Sequence, residues 1–267
     1  MKEISSIHNP LIKKILLLQE KSKYRKAEQL FVIDGWKETK MAIANHFNIE
    51  TILFSETLIN TTLFEEIQAE IKQQKTSINL VQVSEEIFQK IAVRGNTSKV
   101  VAVAEQKVHG LSQLQLKENA IVLVLDAIEK PGNLGAILRI ADAANIDAVL
   151  CCDIATDIYN PNVIRSSVGC LFTTSVAVAT KETILQFLQE KNIAIYTTSL
   201  KAAKNYLHEN YTQASAFVFG TEANGVDVFW ENNSTQNIII PMRGQNDSLN
   251  VSNSVAIVLF EALRQRT

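Results

Sequence analysis

The chain has 267 residues, 46% hydrophobic and 20% charged, with a formal net charge of −2. Those figures suit a globular protein of one large or two ordinary domains and exclude a disordered chain. No apolar run approaches the roughly 20 residues of a bilayer-spanning helix, so no membrane partner is expected.

The first part of the chain alternates helical and extended text. Leu11, Ile15 and Leu18 share helical spacing, with Asn9 placed to cap the helix and Pro10 at its first position. LFVID at 30–34 predicts a buried strand ending at Gly35, followed by a helix from Trp36 to His46. Strands are expected at 51–54, 78–83 and 99–105, and helices over Thr61–Lys75 and from Ser84. This alternation predicts an α/β sandwich of about 100 residues. Charge is uneven along the chain. Residues 1–118 hold 16 Lys and Arg against 14 Asp and Glu, whereas residues 119–267 hold 10 against 14. Lys13, Lys14, Lys21, Lys23, Arg25 and Lys26 face only Glu20 in their stretch, a cluster able to follow a phosphate backbone or simply to form a solvated helix face.

Polar text between His109 and Asn119 marks a linker, which gives a first domain over 1–108, a linker over 109–118 and a second domain over 119–267. The second domain opens with AIVLVLD (120–126), a fully apolar run of the kind found in central parallel strands. A loop with Pro131 and Gly132 follows, then a helix from about Leu134 to Ala144 and the strand AVLCC (148–152). A short helix after Pro161 carries Arg165, Ser166 and Ser167. Thr183–Glu190 reads as a helix, 193–199, 216–220 and 237–241 as strands, and 251–265 as a closing helix. The pattern predicts a mostly parallel sheet with helices on both faces.

Several chemistries find no footing. The opening MKEISSIHNPLIKK lacks an apolar segment followed by a small-residue cleavage site, so a cytoplasmic location is expected. Cys151, Cys152 and Cys170 read as buried thiols of a reducing compartment. His8, His46, His109 and His208 never stand at metal-ligand spacing, so no metal is expected. No G-x-G-x-x-G, P-loop or G-x-S-x-G motif occurs, which disfavours a Rossmann dehydrogenase and a serine hydrolase.

Ligands of open α/β sheets bind at the carboxyl ends of the strands, and three loops there are rich in polar residues and glycine. The first runs D-A-I-E-K-P-G-N-L-G-A-I-L-R with Asn133, Gly135 and Arg139. The second is G-T-E-A-N-G at 220–225, with Glu222 and Asn224. The third is P-M-R-G-Q-N-D-S-L-N-V-S-N-S from Pro241. Each also has an ordinary reading as a turn or a helix cap. In this order and spacing, N-L-G-A-I-L-R-I-A-D-A-A (133–144), V-F-G-T-E-A-N-G-V (218–226) and I-P-M-R-G-Q-N-D-S-L-N-V-S-N-S-V-A (240–256) resemble the three motifs of the SpoU branch of the SPOUT methyltransferases. I-S-S-I-H-N-P-L-I-K-K-I, Arg25 and F-V-I-D-G (31–35) are similar to that family's substrate-binding domain, which resembles an RNA-binding ribosomal protein. Asp34 stands where the family usually has glutamate.

The resemblance implies a C-terminal SPOUT domain with a deep trefoil knot, one of the rare exceptions to unthreaded chains, and a homodimer. It implies S-adenosylmethionine as cofactor, touched by Gly220, Ile240 and Leu249, and methylation of a ribose 2′-hydroxyl in RNA, with ribosomal RNA ahead of transfer RNA. Asn133, Arg139, Glu222, Ser248 and Asn250 are the implied catalytic set, and Lys13, Lys14, Lys23 and Arg25 the RNA-binding set. A non-catalytic RNA-binding factor that kept the fold is the rival from another class, and retention of all five catalytic positions counts against it.

Overall fold

The computed structural model describes residues 3–73, 77–93, 98–202, 204–221 and 225–267. They form two compact units, residues 1–107 with 158–173, and residues 108–157 with 174–267.

In the first unit, α1 (Pro10–Glu20) begins where the Leu11 N–H donates to the Asn9 side chain at 2.9 Å, satisfying a donor that the first turn leaves open. After α2 (Ser22–Glu28) come β1 (Leu30–Asp34), α3 (Trp36–Ala44), β2 (Ile49–Phe54), α4 (Thr61–Gln73), β3 (Asn79–Gln82), α5 (Glu85–Ile91) and β4 (Val101–Glu105). The sheet order is β1-β4-β2-β3, with only β2 and β3 parallel. Ile12, Ile15 and Leu18 bury the apolar stripe of α1 in a core with Val32, Leu53 and Val103.

Arg25 departs from its expected role. It is 1% exposed, and its Nη1 donates to the carbonyls of Leu18 at 2.7 Å and Gln19 at 3.1 Å. The last carbonyls of α1 lack partners within the helix; a guanidinium satisfies them and is thereby withdrawn from the surface where phosphate would lie.

The second unit continues with β5 (Ile121–Asp126), α6 (Pro131–Ala143), β6 (Ala148–Cys152), then α7 (Pro161–Ser166), which belongs to the first unit, and β7 (Val176–Val178), α8 (Lys181–Glu190), β8 (Ala194–Thr198), β9 (Lys204–Asn205), β10 (Ser215–Phe219), α9 (Val228–Asn233), β11 (Gln236–Ile239) and α10 (Val251–Arg264). Among the described residues its sheet has seven strands in the order β7-β6-β5-β10-β8-β11-β9, and every pairing is parallel. β5 and β10 are buried along their whole length, as strands covered on both faces must be. Pro131, Gly132 and Asn133 are not a turn before a helix but the first turn of α6, because proline suits the first helical position, where no N–H is needed.

Two segments assort differently from the sequence expectation. Leu111, Leu114 and Leu116, in the stretch read as a linker, pack against the core of the second unit. The Val178 N–H also donates to the His109 carbonyl at 2.8 Å, covering the edge of β7. Residues 158–173 pack with residues 1–107. Tyr159 lies 4.3 Å from Phe31 between ring centroids, Phe172 lies 5.0 Å from Phe47, and the Lys107 N–H donates to Tyr159 Oη at 2.9 Å.

Candidate active site

Because the strands of the second unit are parallel, their carboxyl ends share one edge. β5 leads outward to β6 and β7, while β8 begins the other half of the sheet beyond β10. The order therefore reverses between β5 and β10, and ligands of such sheets sit outside the strand ends near that switch. On the β10 side of that switch a cavity of about 330 Å³ opens, lined by the carboxyl ends of β8, β10 and β11 with the residues that follow them, and by residues around the start of α10. Its volume falls in the range of small-molecule sites, roughly 300–1,000 Å³.

Gly220 lines the cavity, but the approach that demands glycine comes from the chain itself. A Cβ at Gly220 would lie 2.0 Å from the Gly225 carbonyl oxygen and 2.5 Å from Val226 Cα. The loop folds back because Thr221 and Gly225 exchange N–H···O bonds of 2.9 and 3.0 Å, with Gly225 at φ 71. Glu222 and Asn224 lie outside the described residues. The returning limb is anchored by buried Asp126 at the end of β5, whose Oδ2 accepts the Asp227 N–H at 2.9 Å.

Ile240 and Leu249 line the same cavity, as does Ser248, whose Oγ donates to Asp247 Oδ1 at 3.1 Å. Asn250 caps α10. Its Oδ1 accepts the Ser252 N–H at 3.0 Å and the Ser252 hydroxyl at 2.6 Å, and its Nδ2 donates to Asn133 Oδ1 at 3.2 Å. One side chain thus starts the last helix and ties it to the first motif. Arg139 is placed elsewhere. It is exposed, six residues along α6 from Asn133, and does not line the cavity. Six residues are about 9 Å of rise and about 240° of rotation, so the two side chains leave α6 on different faces.

The chain also supplies lining residues that the motifs did not reveal: Thr198 at the end of β8, Ser199, Leu200 and Lys201 after it, and Glu231 on α9. The available signal was the abrupt change from apolar I-A-I-Y to T-T-S-L-K at a strand's carboxyl end. Thiol chemistry has no place here. Burial pushes Cys151 up to about 12, and burial with the Asp126 carboxylate beside it pushes Cys152 still higher, so both stay protonated. Among the described residues no group of three or more His, Cys, Asp or Glu is arranged to hold a metal.

Of the expected RNA contacts, Lys13 and Lys23 are exposed. Lys14 is partly neutralised, 3.7 Å from Glu28 and 4.0 Å from Glu50.

Residues 120–260 match the SpoU rRNA Methylase family. The chain belongs to that family. Residues 9–102 match the MRM3-like substrate binding domain. Among relatives, the chain is 28% identical to the 23S rRNA (guanosine(2553)-2′-O)-methyltransferase RlmP of Bacillus subtilis, over 97% of this chain and 98% of the relative. A crystal structure of an RNA 2′-O ribose methyltransferase is 35% identical with a TM-score of 0.85, covering 99% of both chains. The AdoMet-bound rRNA methyltransferase from Sinorhizobium meliloti is 27% identical with a TM-score of 0.89, covering 100% of this chain and 98% of the other. All three motif segments fall within the matched residues 120–260.

Proposed function

We propose that this SpoU-family enzyme transfers a methyl group from S-adenosylmethionine to a ribose 2′-hydroxyl of ribosomal RNA. The observation that carries this reading is convergence: the second and third motifs wall one cavity, and Asn250 ties the third to Asn133 of the first. The cavity suits the cofactor. Leu200 and Leu249, 58% and 40% exposed, offer apolar surface for a flat base to cover, and Thr198 and Ser199 offer hydroxyls. When bound, S-adenosylmethionine supplies a methyl group activated by its sulfonium charge.

The protein's task is to orient the ribose oxygen and manage its proton. Asn133, held by Asn250, and Ser248 would position the hydroxyl. Arg139 would clamp a phosphate beside the target ribose; a guanidinium stays protonated, so it acts through charge rather than as a base. Glu222 would orient Arg139 or Asn133. Mapping 2′-O-methylated nucleotides in total RNA with and without the gene tests the function. Loss of a ribosomal position is expected; loss at a transfer-RNA position would move the substrate, and no loss would favour the non-catalytic reading. Among the described residues no helix is long and apolar enough to cross a membrane, and we assign the enzyme to the cytoplasm.

We assign RNA affinity to residues 1–108, with Lys13 and Lys23 as the exposed phosphate contacts. Reversing both charges should weaken RNA binding and flatten its salt dependence, because each phosphate contact releases counterions. Cofactor affinity should not change. Unaltered RNA affinity in filter binding at two salt concentrations would reduce the cluster to a solvated face.

A homodimer through the second unit completes the reading. The third loop from Arg243 to Asn250 is exposed, and Phe260 is 50% exposed on α10, beside half-buried Ala256, Ile257 and Leu263. A second copy on this face would bury the apolar stripe, and Arg139 would then serve the partner's cavity. Light scattering should give twice 29.7 kDa at micromolar concentration. A fully active monomer would count decisively against it. The trefoil knot implied by the motifs belongs to the same proposal.

A further inference from the structure

Glu231 lies in the wall of the cavity but on none of the three motif loops. Its position is held from two sides. Ser199 Oγ donates to its Oε1 at 2.6 Å, and Asn237 Nδ2 donates to its backbone carbonyl at 3.0 Å. Ser199 is the first residue beyond β8 and also lines the cavity, so the hydrogen bond joins two parts of one wall. The charged residues among the described lining are Glu231, Asp247 and Lys201: two carboxylates against one ammonium. Asp247 and Lys201 are exposed, whereas Glu231 is half-buried, where a charge is less screened by water.

That charge balance acts on a ligand whose own charge changes in the reaction. S-adenosylmethionine carries a sulfonium, an ammonium and one carboxylate. Its product, S-adenosylhomocysteine, carries a neutral thioether in place of the sulfonium. In the transfer the methyl–sulfur bond breaks with its electrons left on sulfur, the oxygen–methyl bond forms, and the hydroxyl proton leaves to solvent. The ligand therefore loses its net positive charge as the methyl departs.

We propose that the Glu231 carboxylate, held by Ser199, sets the cavity's preference for the cationic methyl donor over its neutral product and so promotes product release. The proposal rests on the reading of this cavity as the cofactor site. A structural role for Glu231 would strengthen or weaken both ligands alike; a charge-selecting role changes their ratio.

Calorimetric titration of the full-length protein with S-adenosylmethionine and S-adenosylhomocysteine, at low and high salt, separates the two. Glu231→Gln keeps the size of the side chain and an acceptor for Ser199 while removing the charge. It should reduce the ratio of product Kd to donor Kd by about fivefold, the scale of one partly screened charge contact. In the wild type that ratio should fall with salt, and in the variant it should respond less. Sinefungin, which keeps a positive charge near the methyl position, should follow the donor. Ser199→Ala, which retains the carboxylate, should keep the ratio within about twofold of wild type, well short of the loss of a full charge. Equal weakening of donor and product by Glu231→Gln overturns the proposal but leaves the cofactor site standing. Failure of the wild type to bind either ligand overturns both.

Discussion

Arg139→Ala is expected to lose methyl transfer while binding S-adenosylmethionine as tightly as the wild type. The arginine is exposed on α6 and does not line the cavity, so its removal leaves the cofactor walls untouched. A donor aimed at phosphate or at developing charge on the ribose oxygen is used mainly in the transition state, and its loss appears in turnover. Removing one such preorganised donor typically costs about a hundred- to a thousandfold in rate. Arg139→Lys should recover only part of this, because an ammonium cannot reproduce the planar fork of donors. Single-turnover kinetics on the mapped RNA, beside cofactor calorimetry, reads both effects. Normal turnover in the alanine variant would reduce Arg139 to a solvated residue. Mixed dimers add a second reading. If Arg139 serves the partner's cavity, co-expression of Arg139→Ala with a cofactor-binding variant should restore activity that neither homodimer shows.

The parts of this fold that were legible in sequence are those whose burial repeats along an element. LFVID and AIVLVLD announce β1 and β5 because strands covered on both faces must be apolar throughout. The short edge strands β7 and β9, three and two residues long, carry no such period and escaped notice. Residues 158–173 read as a continuation of the second domain because their text fits one; contacts distant in sequence, such as those of Tyr159 and Phe172 with Phe31 and Phe47, place them with residues 1–107. The site shows the same division. Gly220, Ile240, Ser248 and Leu249 were marked by the family resemblance, and all four line the cavity, the first two directly after β10 and β11 and the last two just before α10. Glu231 and Ser199 were not, because their meaning depends on a contact between residues 32 positions apart. Arg25 shows the converse. Its sequence neighbours are basic and exposed, yet the end of α1 needed a donor and took it.

Gly220→Ala should be the most damaging single-methyl change in the second motif. The added Cβ would stand 2.0 Å from the Gly225 oxygen and 2.4 Å from its carbonyl carbon, and both are backbone atoms that no rotamer can move aside. Relief requires opening the Thr221–Gly225 pair or displacing the end of β10, whose residues are buried to the last. Forcing extra volume into a packed site costs about 1–3 kcal/mol, and the displaced loop is a wall of the cofactor cavity. A lowered unfolding temperature is therefore expected together with at least a tenfold weaker S-adenosylmethionine titration, about 1.4 kcal/mol. Gly225→Ala separates space from backbone conformation. Its Cβ would meet nothing within 4 Å, but φ 71 is a left-handed setting that costs a non-glycine residue roughly 1 kcal/mol. Gly225→Asn, which tolerates that setting better, should lie nearer wild type than Gly225→Ala, while no side chain should be accepted at Gly220. Thermal melts and cofactor titrations of the three variants check the order. A Gly220→Ala protein with unchanged affinity and melting temperature would mean that the loop has room that its backbone spacing denies.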